Sequence, residues 1–150
     1  MKYLLAVLAF FVSSLALAQT TITFGSGNCQ IGISYTNPSV YCYGMHADDG
    51  GTVSTSIRDN ANAFVNGTIY KFDMNGTPEW TSVDFAGTVT GLPGSVGSGT
   101  ISGTFTALLP DGTQIVGTLV ENFVVVRVCT VSGYRYCRNR TSITDGVIAY

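Results

Sequence analysis

Residues 97–128 read GSGTISGTFTALLPDGTQIVGTLVENFVVVRV. On both sides of the turn sequence Leu109-Pro110-Asp111-Gly112, a set of small or apolar residues alternates with a second set. The second set is threonine and serine before the turn, and it is Val116, Thr118 and Val120 after it. A period of two places alternate side chains on opposite faces of a sheet. Pro110 suits a φ of about −65°, and Gly112 suits the positive φ of a glycine bulge that closes a type I turn. The stretch therefore predicts a β-hairpin.

The turn also predicts how the two strands of this hairpin pair. It sets Leu109 opposite Thr113. Counting back from there, a small residue faces a larger one at each step: Ala107 faces Ile115, Phe105 faces Gly117, and Gly103 faces Leu119. The same register puts Glu121 opposite Ile101, on the face that carries Phe105. The carboxyl is expected to be partly buried there with a raised pKa, or else to mark the end of the core.

Further alternating runs predict more strands on either side of the hairpin. They cover Thr20–Phe24, Gln30–Tyr35, Val40–Met45, Gly51–Ile57, Phe64–Phe72, Thr81–Val89, a short hairpin at Val131–Tyr134 and a last strand or pair over Thr141–Tyr150. Within the sixth run, Val83, Phe85 and Val89 are expected to share the core face. Because no amphipathic helix is evident, the chain is predicted to be all-β. We expect a single domain built as an antiparallel β-sandwich or closed barrel of about 8–10 short strands.

The first 18 residues predict a secretory signal peptide. They contain one positive charge, at Lys2, then an almost unbroken apolar run that ends in Ala16-Leu17-Ala18. This small-x-small ending predicts cleavage before Gln19 and leaves residues 19–150 as the mature domain. The expected location is secreted, either extracellular or periplasmic. No later stretch predicts a transmembrane helix.

The charges and cysteines of the mature chain further narrow the class of protein to which it can belong. Six basic and nine acidic side chains give a net charge of −3, which argues against nucleic-acid binding. An even number of cysteines in an exported chain favours two disulfides among Cys29, Cys42, Cys129 and Cys137. Proximity along the chain favours Cys29–Cys42 and Cys129–Cys137, although the sequence leaves the connectivity open. Their spacings lack the close pairs of a zinc site, so neither a metal nor another cofactor is predicted.

Two tyrosine pairs flank cysteines and suggest a binding surface. Tyr41 and Tyr43 lie on either side of Cys42, and Tyr134 and Tyr136 precede Cys137. On a strand, residues two apart share a face. If the cysteines point inward, an outward aromatic surface is predicted, with arginines at its rim: Tyr41, Tyr43, Tyr134, Tyr136, Arg138 and Arg140. Such a surface would suit a protein or glycan partner, whereas the alternative makes these tyrosines ordinary half-buried sheet residues.

The loop His46-Ala47-Asp48-Asp49 is the one cluster with catalytic residue types. No nucleophile motif accompanies it and its spacing does not match a calcium loop, so a polar connection between strands is the simpler hypothesis. We therefore expect a secreted, non-catalytic β-domain that acts as a binding or structural module at the cell surface or outside the cell. The alternative is a small secreted hydrolase or lectin-like domain using His46, Asp48 and Asp49. A small outer-membrane β-barrel is a further alternative, suggested by the aromatic Tyr150.

Overall fold

A computed structural model describes residues 19–32, 39–59, 64–91, 95–132 and 134–150. Within these ranges the chain forms nine antiparallel strands: β1 (Thr21–Phe24), β2 (Gly27–Gly32), β3 (Ser39–His46), β4 (Thr52–Asp59), β5 (Phe64–Phe72), β6 (Pro78–Thr90), β7 (Gly97–Leu108), β8 (Gln114–Ser132) and β9 (Tyr134–Ala149). The predicted signal peptide and the last three residues of the predicted strand Gln30–Tyr35 lie outside the described residues. No helix in the described part of the chain is long and apolar enough to cross a membrane.

The strands close on themselves to form a barrel. The hydrogen-bonded order is β1-β9-β2-β3-β4-β5-β6-β7-β8, and β9 also pairs with β8. Both β1 and β2 lie along the same edge of β9, with Thr21 opposite Ala149 and Gly27 opposite Ile143. Together they occupy one of eight positions around a nearly closed barrel. The prediction of an all-β domain is confirmed, and of its two architectures the barrel is the one formed.

The hairpin that the sequence predicts is present with the predicted register. The amide of Gly112 donates to the carbonyl of Leu109 at 2.9 Å, and Gly112 has a φ of 85°. The amide of Leu109 donates in turn to the carbonyl of Thr113 at 2.9 Å. All three predicted small-to-large pairs occur: Ala107 with Ile115, Phe105 with Gly117, and Gly103 with Leu119. Local turn chemistry and period-two alternation were sufficient to predict this part of the fold.

The inward-facing side chains pack into one apolar core that fills the barrel. Trp80 stacks on Phe105 with ring centroids 5.1 Å apart, and Tyr150 meets Trp80 edge-on at 5.6 Å. Aromatic rings bury large areas and contribute additional stabilisation in these geometries. The outward positions of β7 carry mainly serine and threonine. The interior of the barrel is therefore mainly apolar, and the polar face of β7 lies outside.

The predicted core face of β6 is wrong at Val83. This residue is 63% exposed, whereas its neighbour Ser82 is buried. The cause is a break in the β6–β7 register between Ser82 and Asp84, because an extra residue reverses the alternation of faces. The buried Ser82 hydroxyl accepts a hydrogen bond from the amide of Ile69 at 2.8 Å. The serine thus satisfies a backbone donor at a point where the β5–β6 register is also irregular.

The last two strands are much longer than predicted. The expected short hairpin and the final strand are parts of β8, with 19 residues, and β9, with 16. Among the described residues, β7 pairs with β8 no further than Val125, and β2 pairs with β9 no further than Ser142. Beyond those points β8 and β9 pair with each other as far as Ser132 and Tyr134. We call this projecting part, residues 126–132 and 134–140, the ribbon.

Candidate binding surface

Tyr41 and Tyr43 project outward from β3. Both rings are partly exposed, and they stack with centroids 5.7 Å apart and an interplanar angle of 26°. Cys42 between them is fully buried and disulfide-bonded, and the β2–β3 register places it opposite Cys29. The alternation of faces expected from the sequence is therefore present at this cysteine.

The ribbon presents arginine, tyrosine and valine side chains on one face. Its cross-strand pairs are Val126 with Arg140, Val128 with Arg138 and Thr130 with Tyr136. Residues that pair directly across an antiparallel sheet point to the same side. All six side chains are exposed, and Tyr136, the one aromatic residue among them, is 65% exposed. We call these six residues the ribbon face. The side chain of Tyr134, which was expected to join this surface, lies outside the described part of the structure.

The tyrosine pair and the ribbon face lie on the same side of the sheet. Tyr43 of β3 and Ser142 of β9 both have Asn28 of β2 as their register partner, so the side chains of Tyr43 and Ser142 point to the same side of the sheet. Ser142 is two residues from Arg140 along β9 and therefore shares its face. With strands about 4.8 Å apart, β3 and β9 are separated by about 10 Å where β2 runs between them. The predicted aromatic and basic residues with described side chains thus form two neighbouring outward patches.

The disulfide Cys129–Cys137 forms as the sequence predicts, but it does not point into the core. Cys129 is exposed and Cys137 is partly exposed, on the side of the ribbon opposite the ribbon face. Together with Arg127 and Tyr136 they line a surface depression of ≈ 580 Å³. The expectation of an inward disulfide fails here because the ribbon has left the barrel, so neither of its faces meets the core.

This disulfide is expected to hold the ribbon together. A two-stranded hairpin is marginally stable in water by itself. Replacing both Cys129 and Cys137 with serine should therefore accelerate amide hydrogen exchange in the ribbon by at least about tenfold, while exchange in the β7–β8 hairpin stays unchanged. Hydrogen exchange followed by mass spectrometry measures both regions in one sample. Equal acceleration in the two regions would show that the disulfide stabilises the whole barrel instead.

The His46 loop does not bring its polar side chains together. His46 is exposed at the end of β3. Asp48 accepts a hydrogen bond from the Thr23 hydroxyl at 2.7 Å, which lowers the pKa of the carboxyl. Asp49 turns instead toward β5, where its carboxylate lies 2.8 Å from Nζ of Lys71. Partial burial opposes ionisation of Asp49, but the contacts with Lys71 and the Gly51 amide leave its pKa lowered. Each carboxylate therefore has a structural partner.

Lys71 ties together three parts of the chain. Its side chain is fully buried, and Nζ lies 2.8 Å from Asp49, 3.0 Å from Glu79 and 2.9 Å from the carbonyl of Phe72. Burial alone would lower the pKa of the amine, but the two carboxylates raise it above its usual value. Lys71 is thus a cation at neutral pH. A buried cation suits ion pairs with two carboxylates, whereas a nucleophile would need a neutral amine. The sequence offered no signal for it, because its partners come from distant segments.

Glu121 lies inside the barrel, opposite Ile101 as predicted. It is fully buried, and burial raises the pKa of its carboxyl to about 7. The Thr55 hydroxyl lies 3.3 Å and 3.2 Å from its two oxygens. Since β4 and β8 are on opposite sides of the barrel, this contact crosses the interior. Glu121 is the one buried carboxyl among the residues described, so it lacks the second carboxylate that a glycosidase site requires.

The ribbon face contains three residues that sequence reasoning missed. The predicted surface did not include Val126, Val128 or Thr130, although their register with β9 places them beside Arg140, Arg138 and Tyr136. Extending the pairing back from the Ser132-Gly133-Tyr134 turn would have found them. The described residues contain no group of three histidine, cysteine or acidic side chains that could hold a metal ion. No family model, curated protein or solved structure matches the chain.

Proposed function

We propose that this chain is an exported, non-catalytic binding module that holds an anionic partner on the ribbon face and the adjoining Tyr41–Tyr43 pair. The observation that carries the proposal is the ribbon face itself, where exposed arginines alternate with exposed valine and tyrosine on strands that project beyond the barrel. No acidic residue occurs between Glu121 and Asp145 in the sequence, so the ribbon is purely basic. Four of the six bases of the mature chain are on it.

The chemistry of these residues supports an anionic partner. The planar guanidinium group binds carboxylate or sulfate through two parallel hydrogen bonds. Exposed tyrosines add large contact areas at a low cost in side-chain entropy. The described carboxylates of the His46 loop have structural partners, and the single buried carboxyl lies in a packed interior. A role in binding therefore fits the side chains better than a role in catalysis.

The proposal predicts that the ribbon arginines carry the affinity for anions. Replacing both Arg138 and Arg140 with alanine should weaken binding of the mature protein to a sulfated polysaccharide by at least about tenfold, because interface arginines are frequent hot spots. Tyr136→Ala should cost about 2 kcal/mol of binding free energy. Isothermal titration calorimetry at low salt measures both.

Two matched controls test whether the effect belongs to the ribbon. Arg58→Ala removes an exposed arginine at the same end of the barrel, and His46→Ala removes the histidine of the polar loop. Neither should change the affinity by more than about twofold, because neither side chain is on the ribbon face. A loss at Arg58 equal to that at the ribbon would show that only net charge matters, and a loss at His46 would move the site to the loop.

A further inference from the structure

Most charged residues lie near one end of the barrel or the other, and Asp84, Glu121 and Asp145 lie between the ends. All five arginines lie at the end from which the ribbon projects, where one aspartate accompanies them: Arg58, Arg127, Arg135, Arg138, Arg140 and Asp59. We call the opposite end, with the turns at residues 47–51, 73–77 and 109–113, the loop end. It carries five carboxylates and one lysine: Asp48, Asp49, Asp73, Glu79, Asp111 and Lys71. One end therefore has a net charge of +4 and the other of −4.

The turns fix the negative charges at the loop end. Asp73 accepts hydrogen bonds from the amides of Thr77, at 2.7 Å, and Asn75, at 2.8 Å. Asp111 accepts one from the amide of Thr113 at 2.8 Å. These bonds favour the ionised form and lower the pKa of both carboxyls. The loop end is therefore an ordered anionic surface at neutral pH.

The loop end also carries exposed apolar side chains next to its carboxylates. Met74 is 75% exposed beside Asp73, and Leu108 is exposed at the start of the turn that contains Asp111. The ribbon face has the matching composition, since Val126 and Val128 lie beside its arginines. An interface of this kind gains from apolar contact as well as from opposite charge. A sulfated polysaccharide would neutralise the arginines but would leave the valines exposed.

We infer that the partner of the ribbon face is the loop end of a second copy of this chain, so that copies associate head to tail. The inference rests on the proposed function and names its partner. A symmetric contact between two ribbons is disfavoured, because each ribbon carries four arginines and no acidic residue. When the ribbon face of one copy binds the loop end of another, the assembly still has one unoccupied ribbon face and one unoccupied loop end after each copy is added. Such an interface produces open linear assemblies unless its rotation closes a ring.

The test uses the mature protein and two variants that each damage one surface. R138A/R140A removes ribbon charge, and M74K/Q114K adds positive charge to exposed positions of the loop end. Sedimentation velocity should show wild-type self-association at about 0.01 M salt that weakens at least tenfold at about 1 M salt, as the Debye length falls from about 30 Å to about 3 Å. Each variant alone should self-associate at least about tenfold more weakly than the wild type.

Mixing the two variants separates a head-to-tail contact from a symmetric one. The mixture contains one intact pair of surfaces, namely the ribbon of M74K/Q114K and the loop end of R138A/R140A. It should form a 1:1 heterodimer that grows no further. A wild-type monomer at low salt, a loop variant that associates normally, or a mixture that stays monomeric would each overturn the inference. The proposed function fails separately, if R138A/R140A binds a sulfated polysaccharide as well as the wild type does.

Discussion

The Glu121→Gln variant is expected to be more stable than the wild-type protein by about 3 kcal/mol above pH 8 and equally stable near pH 4. Burial raises the pKa of this carboxyl from 4.5 to about 7 in the folded protein. At about 1.4 kcal/mol per pH unit, that difference corresponds to about 3 kcal/mol. Glutamine has nearly the same shape, keeps a polar contact with Thr55 and carries no charge. Urea denaturation of both proteins between pH 4 and pH 9 measures the effect.

The direction of this change in stability with pH follows from whether the folded or the unfolded chain binds the proton more tightly. Below pH 4.5 the carboxyl of Glu121 is protonated in the folded and unfolded chains, so it adds no pH dependence. Between pH 4.5 and pH 7 the unfolded chain loses the proton first, and the stability of the wild type falls as the pH rises. Above pH 7 both states are ionised and the loss is complete. The same fall in stability in Glu121→Gln would refute the assignment to this residue.

Gly117→Val is expected to cost about 3 kcal/mol of folding stability, at the upper end for overpacking. A Cβ at this position would lie 2.6 Å from the Phe105 ring and 2.6 Å from the carbonyl oxygen of Ala149. Because Phe105 is stacked on Trp80, the ring cannot give way without disturbing a second aromatic side chain. The midpoint of urea denaturation measures the loss of stability. An unchanged slope m checks that unfolding is still two-state.

Thr118→Val is the matched control for the glycine. Thr118 is the next residue of β8, and its side chain is exposed on the outside of the barrel. Its replacement should change the stability by no more than about 0.5 kcal/mol. Equal losses at the two positions would mean that the two faces of β8 are packed alike, which contradicts the register of the hairpin.

The sequence predicts the fold best where local chemistry determines it. The pairing of Phe105 with Gly117 follows from one turn and an alternating pattern, both contained in a single stretch. The prediction failed at Val83, because the bulge that reverses the faces of β6 arises from pairing with a neighbouring strand. Lys71 and its carboxylates were not predicted for the same reason, since three separate segments meet there.

The candidate site was predictable to a similar degree. Alternation correctly placed Tyr41 and Tyr43 on the face opposite Cys42. Proximity along the chain favoured the pair Cys129–Cys137, but neither proximity nor alternation could show that both cysteines would be outside the core. A period of two tells which residues share a face, whereas the neighbouring strands determine whether that face is covered. The point at which β7 stops pairing with β8, at Val125, depends on tertiary structure and has no local signal in the sequence.

The contact between Thr55 and Glu121 has a practical consequence for genetics. Because these residues come from opposite walls, their side chains fill the middle of the barrel. Inward and outward positions should therefore give different phenotypes in a deep mutational scan. Substitutions at inward positions of β7, and of β8 as far as Val125, should reduce the amount of folded protein, whereas those at outward positions should leave abundance intact. Read along β8 from Gln114, the two phenotypes should alternate residue by residue as far as Val125, and the alternation should end in the ribbon.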